Sequence, residues 1–254
     1  MQRRTHGFHL SPRFMPILAF AVASGVVAFL GLMRSPITVF LFVTSGWLIT
    51  LCLHEFGHAL AAYYGGDESV KERGYLTLDP LGYTDPMTSL FWPTVFLAMG
   101  GIGLPGGAVF INPAALRSRG WQSFVSAAGP IATLVCLLLL LLPMWIGLQG
   151  QFGTVEFWSG WTFLAFLLVT SLLFNLLPIP GFDGFGVIEP YLPYEVQRQA
   201  AVIRPIAFFV LFGLFLFVPA VNSAFMNMCL QASQILGIDF RLVFNGLRLY
   251  RFWR

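Results

Sequence analysis

Two histidines four residues apart, His54 and His58, enclose a glutamate, Glu55, in the run HEFGH. On an α-helix, positions i and i+4 share a face, so both imidazoles can meet one ion while Glu55 projects about 100° around the axis beside them. Neutral imidazole nitrogens suit zinc, and a carboxylate kept off the metal can take a proton from a water activated there. Gly57, between the histidines, is expected to leave room for a substrate at the edge of the ion. The pattern is that of a zinc hydrolase.

A catalytic zinc usually has three protein ligands and one open position, so one ligand is still missing. The other histidines, His6 and His9, belong to the N-terminal tail and read as solvated. The missing ligand is therefore a carboxylate or a cysteine. Asp183, in PIPGFDGFG, is the leading candidate because it ends an apolar run amid glycines that allow close approach. Asp79 and Asp85 remain rivals, although each precedes a proline in a charged loop, where turn formation accounts for it. Cys52 stands two positions before His54, on the opposite side of a helix.

These residues must be positioned inside a membrane. Of 254 residues, 57% are hydrophobic and 10% charged, against about 25% charged in an average soluble domain; mean hydropathy is +0.78. Charge-free runs of spanning length recur at 15–33, 35–53, 86–116, 120–155, 157–182 and 205–238. An all-α polytopic membrane protein of about six transmembrane helices follows, as a single domain over 1–254. A net charge of +3 does not call for nucleic acid, and the positive-inside rule accounts for the arginines. Cys52, Cys136 and Cys229 lie in separate apolar runs without metal or redox spacing and read as packing. Ionisable groups in an apolar span are expensive unless they face a cavity, which argues that His54, Glu55 and His58 are functional.

With Arg3, Arg4 and Arg13 before it, the first span is expected to be uncleaved and to leave the cytoplasm, so the second, over 36–64, returns. About 27 Å of helix then precedes His54 and about 9 Å follows His58, which sets the ion inside the bilayer nearer the cytoplasmic face. The charged segment 67–86 is the natural cytoplasmic loop. Residues 87–110, broken by prolines and glycines, lead to Arg117 and Arg119, and a re-entrant or short β element would return those arginines to the cytoplasm. Crossings are expected at 121–146 and 159–177, and the prolines and glycines of NLLPIPGFDGFG stop the second. The last apolar run is expected to form a hairpin turning near Pro219 and Asn222. That hairpin would return Arg241, Arg248, Arg251 and Arg254 to the cytoplasm.

Taken together, HEFGH at 54–58 and NLLPIPGFDG at 175–184 resemble the two signatures of the site-2 protease family of intramembrane zinc metalloproteases. LTLDPLGYTDPMTSLFWP, INPAALRSRGW and SAAGPIATL resemble the connecting elements of its compact bacterial and archaeal branch, which lacks a PDZ domain. The resemblance covers about residues 36–190. It implies one zinc per chain held by His54, His58 and Asp183, with Glu55 as general base. It also implies a prokaryotic plasma membrane and cleavage within the transmembrane segments of other proteins. Asn175, which the resemblance implies helps hold the substrate backbone, and Asn112 and Thr133 are the residues expected to contact substrate. Thr133 departs from the asparagine common in the family, and Phe185 from a smaller or polar residue. The glycine-rich stretch 100–113 could offer a strand edge to an unwound substrate or be only a turn. Two other classes share part of the pattern: a transporter or metal-permeation protein, and a catalytically silent binder of membrane helices.

Overall fold

The computed structural model describes residues 10–82 and 109–253. Most of the expected re-entrant or β element at 87–110, most of the stretch 100–113, and Asp85, His6 and His9 lie outside them. Among the described residues the named elements are all helical, as expected of an all-α membrane protein. Helix α1 (Phe14–Leu30) stops at Gly31, whose φ of 66° is left-handed. Helix α2 (Pro36–Gly65) opens on Ser35, which caps the N–H of Ile37, with Pro36 at its first position. A one-turn helix α3 (Ser69–Glu72) follows. Helix α4 (Arg119–Trp145) is capped by Ser118, and α5 (Val155–Asn175) by Thr154.

Helix α5 is the centre of the bundle. Phe163, Leu164, Leu167, Leu168 and Val169 are all buried and belong to the main core with Val39, Val43 and Trp47 of α2 and Leu137 and Leu141 of α4. Close approach to α5 is made by small residues: a Cβ at Gly46 of α2 would stand 2.7 Å from a methyl of Leu164.

Helices α2, α4 and α5 are long and apolar enough to cross a membrane. A fourth span results if the two pieces of α7 (Tyr194–Phe217), bent by 56° between Ala207 and Phe209, count as one; α1 is apolar but shorter, at 17 residues. The described helices therefore supply three or four such spans where sequence composition suggested about six. The apolar run 205–238 is divided by the bend in α7 and again at Pro219, which begins α8 (Pro219–Ile235).

The C-terminal segment departs from expectation in place as well. After α8, Asp239 caps α9 (Phe240–Tyr250), and its hydrogen bonds with Arg241 hold its carboxyl below the ordinary range. One face of α9, with Val243, Gly246 and Tyr250, is buried, while Arg241, Phe244 and Arg248 are exposed. A Cβ on Gly246 would stand 2.2 Å from the carbonyl oxygen of Ser159. The Asn245 amide donates to the Ser159 hydroxyl at 2.8 Å. Tyr250 meets Thr44 at 3.4 Å and packs on Phe40. Thr44 lies about 15 Å of helix before His54, so α9, with Arg241 and Arg248, packs at the end of α2 remote from HEFGH. Trp145, whose indole donates to Leu236 O at 2.9 Å, and Trp158 mark that same end, a position suited to an interfacial aromatic belt.

The opposite end joins the N-terminus to the loop after α2. Ser11 N donates to Thr77 O at 2.7 Å, and Arg13 pairs with Asp79 at 3.0 Å.

Candidate metal centre

His54, Glu55 and His58 all sit on α2 and all are buried. Asp183 is the first residue of α6 (Asp183–Ile188). Helix α5 ends at Asn175, ahead of Pro178 and Pro180, and the chain folds back so tightly that a Cβ on Gly184 would stand 2.2 Å from the carbonyl oxygen of Leu176. This turn brings Asp183 to α2. His54 Nε2 lies 3.2 Å from Asp183 Oδ2, His58 Nε2 lies 3.3 Å from Asp183 Oδ1, and the two Nε2 atoms are 3.1 Å apart.

The Nδ1 atoms fix the chemistry of the Nε2 atoms. His58 Nδ1 faces the carbonyl oxygen of Val125 at 2.7 Å. A carbonyl only accepts, so Nδ1 carries a proton, and in the neutral ring, the form that binds a metal, the Nε2 lone pair is left facing Asp183. His54 Nδ1 meets the Thr133 hydroxyl at 2.9 Å, which can accept in the same way. Three acceptor atoms then converge, and Asp183 Oδ2 is buried without a hydrogen-bond donor. A tetrahedral zinc with bonds of about 2.0–2.1 Å has ligand atoms about 3.3 Å apart; the two Nε2 atoms and the nearest Asp183 oxygen to each are at such distances, and one ligand atom from each of the three residues lies within 4.8 Å of the others. His54, His58 and Asp183 are thus positioned to bind a metal ion, and among the described residues they form the one such group. Zinc fits.

The rivals have other work or lie elsewhere. Asp79 is engaged by Arg13 and caps Leu81 N at 3.1 Å. Cys52 and Cys229 are buried in the apolar clusters and no cysteine is disulfide-bonded.

Helix α4 supports the pair of imidazoles from behind. A Cβ on Gly129 would stand 2.2 Å from His58 Nε2 and 2.7 Å from His54 Nε2, so the glycine of Ala-Gly-Pro is what lets both rings lie against this helix. Gly57 proves to have a different duty from the one expected of it. Its Cβ would stand 2.7 Å from Ala128 O, so its small size admits the backbone of α4 and does not open space for a substrate.

Glu55, 3% exposed, accepts a hydrogen bond from the backbone N–H of Val109. Asn175, 4% exposed, lines a small cavity beside His54 together with Thr50, Thr133 and Ser171. Thr133 therefore borders that cavity while holding His54. The Asn112 side chain accepts from Ala114 N at 3.2 Å, and its own N–H donates to Asp67 beyond the end of α2. Backbone partners such as Val125 O and Val109 N–H leave no mark in a sequence. The role of Gly129 could have been read from the Ala-Gly-Pro run.

No family model matches the chain, and no solved structure matches it. Several relatives bear the name "Putative zinc metalloprotease". Rip2 of Mycolicibacterium smegmatis is 44% identical over 250 residues, covering 96% of this chain and 94% of the relative. Rip2 of Mycobacterium tuberculosis is 42% identical over 247 residues, with the same two coverages. YwhC of Bacillus subtilis is 29% identical over 194 residues, covering 71% of this chain and 82% of the relative.

Proposed function

Because the chain belongs to the site-2 protease family of zinc metalloproteases, we propose that it hydrolyses peptide bonds within transmembrane segments of other membrane proteins, with His54, His58 and Asp183 as its zinc ligands. The observation that carries this reading is the location of the ligand set: two of its members stand on α2, a helix long and apolar enough to cross a membrane, and are packed against α4, a second such helix.

Zinc held by His54, His58 and Asp183 would supply a Lewis acid for the scissile carbonyl and would make water acidic enough to react near neutral pH. Glu55 takes the proton as the water oxygen forms its bond to the carbonyl carbon, and returns it to the amide nitrogen as the C–N bond breaks. The Val109 N–H holds the Glu55 carboxylate in place for both transfers. Val125 O and Thr133 Oγ1 keep the imidazoles in the tautomer that presents Nε2. Asn175, in the wall of the cavity, is suited to hydrogen-bond a substrate backbone that has unwound and lost its own helical partners. Thr50, Thr133 and Ser171 share the wall of that cavity with Asn175, beside the apolar Trp47, Leu51 and Leu168.

Orientation belongs to the same reading. The N-terminus is cytoplasmic, as is the loop it binds through Thr77 and Asp79, so the centre lies nearer the cytoplasmic face. Cleavage of a single-span substrate there would release a cytoplasmic fragment. Purified protein incubated with a panel of single-span substrates, with and without a zinc chelator, tests the proposal: chelator-sensitive cuts inside the apolar segment support it. Cuts confined to extramembrane loops, or none, would refute it.

A further inference from the structure

We propose that Asp67 is a positioning residue for Glu55, acting through the backbone of residues 109–112; this rests on the general-base role given to Glu55 above. Asp67 lies just beyond α2 and is 1% exposed, unusual for a carboxylate in a charged loop. One oxygen makes a local turn, accepting from Ser69 N at 3.1 Å and from the Ser69 hydroxyl at 2.6 Å. The other reaches across the fold to accept the Asn112 N–H at 2.7 Å. From Asn112, whose φ of −91° and ψ of 102° are extended, the chain leads back to Val109, and the Val109 N–H bonds Glu55.

Other contacts fasten the same segment to the end of α2. The Arg73 guanidinium lies over the Phe110 ring at 4.5 Å. Arg117 N donates to Gly65 O at 3.0 Å. Val109 and Ile111 pack against the buried cluster that includes Cys52, Ala59 and Ala62 of α2. The segment is thus held to α2 by side-chain packing, while its register along the helix is set by the charge-assisted bond at Asn112. Sliding or lifting of the segment would carry the Val109 N–H away from Glu55 and free the carboxylate to turn.

The test compares full-length wild type, Asp67→Ala, Asp67→Asn and Ser69→Ala in detergent. It measures kcat on a transmembrane substrate, zinc per chain and hydrogen exchange of the peptide covering 109–116. Asp67→Ala should lower kcat by roughly tenfold to a hundredfold, as small misplacements of reacting groups do, with zinc retained and exchange accelerated at 109–112. Asp67→Asn keeps one acceptor oxygen and should lose less. Ser69→Ala removes the hydroxyl bond to the turn oxygen of Asp67, leaves the Asn112 bond in place and should match wild type. Wild-type kcat and exchange in Asp67→Ala would overturn the inference, and so would an equal loss in Ser69→Ala, which would assign Asp67 to its turn alone. Should Asp67→Ala fail to fold, Asp67→Asn against Ser69→Ala decides between the same outcomes. Failure of the protease reading looks different, since wild type itself would then make no cut.

Discussion

His58 Nε2 and Asp183 Oδ1 lie 3.3 Å apart, a distance that exists only because α5 stops at Asn175 and the chain folds back over its last turn. His54 Nε2 lies 3.2 Å from the other oxygen of the same carboxylate, so each of the three residues is needed for a site with three protein ligands. Alanine at His54, His58 or Asp183 should each bring zinc below one per chain by elemental analysis. Full occupancy in Asp183→Ala would move the third-ligand role to another residue.

Gly129 and Gly57 should separate metal binding from packing. Gly129→Ala drives a methyl into both Nε2 positions, so zinc content should fall while the helices remain. Gly57→Ala meets the backbone of Ala128, so it should destabilise α2 against α4 by about 1–3 kcal/mol, read as a lower midpoint of thermal unfolding. Equal zinc loss in the two variants, with no difference in unfolding, would contradict this division of roles.

Thr133 holds His54 through Nδ1, and outer partners of this kind contribute about 10–100-fold to metal affinity. Thr133→Val keeps the shape without the hydroxyl and should weaken zinc binding by that factor in a competition titration. Thr133→Ser should restore it. If valine binds zinc as tightly as threonine, the hydroxyl serves the cavity and not the ligand.

Topology can be read by labelling single cysteines in a background where Cys52, Cys136 and Cys229 are replaced. Glu68→Cys and Arg119→Cys should react from the cytoplasmic side, and Arg248→Cys from the other, because α9 is bonded to Ser159 at the remote end of α5. Labelling of all three from one side would contradict the placement of α9.

How much of this could be read beforehand depended on whether a feature is carried by side-chain type or by packing. The pairing of His54 with His58 follows from helical spacing, and Asp183 stood out because its neighbours were apolar and glycine. The extents of α2 and α5 lie close to the expected 36–64 and 159–177, because apolar runs bounded by glycine and proline mark them, although α5 begins four residues earlier, at a Thr154 cap that was not read. Gly57 was misjudged because a sequence does not say which face of α2 meets α4. The C-terminal arginines were expected beside the cytoplasmic loops on charge alone, yet Gly246, Asn245 and Tyr250 fit a niche between α2 and α5 that only the assembled bundle defines. Asp67 looked like an ordinary loop acid, since its long-range partner is a backbone N–H.

The central claim is that the ligand set binds zinc and Glu55 performs the proton transfers. Glu55→Gln preserves shape and its place beside Val109 while removing the base, so the most direct measurement is cleavage of a transmembrane substrate by that purified variant alongside its zinc content. Zinc should remain at one per chain, and the rate should fall by at least the roughly hundredfold typical of losing a general base. Undiminished cleavage by Glu55→Gln, with contaminating proteases excluded by an inactive His54→Ala control, would contradict the account.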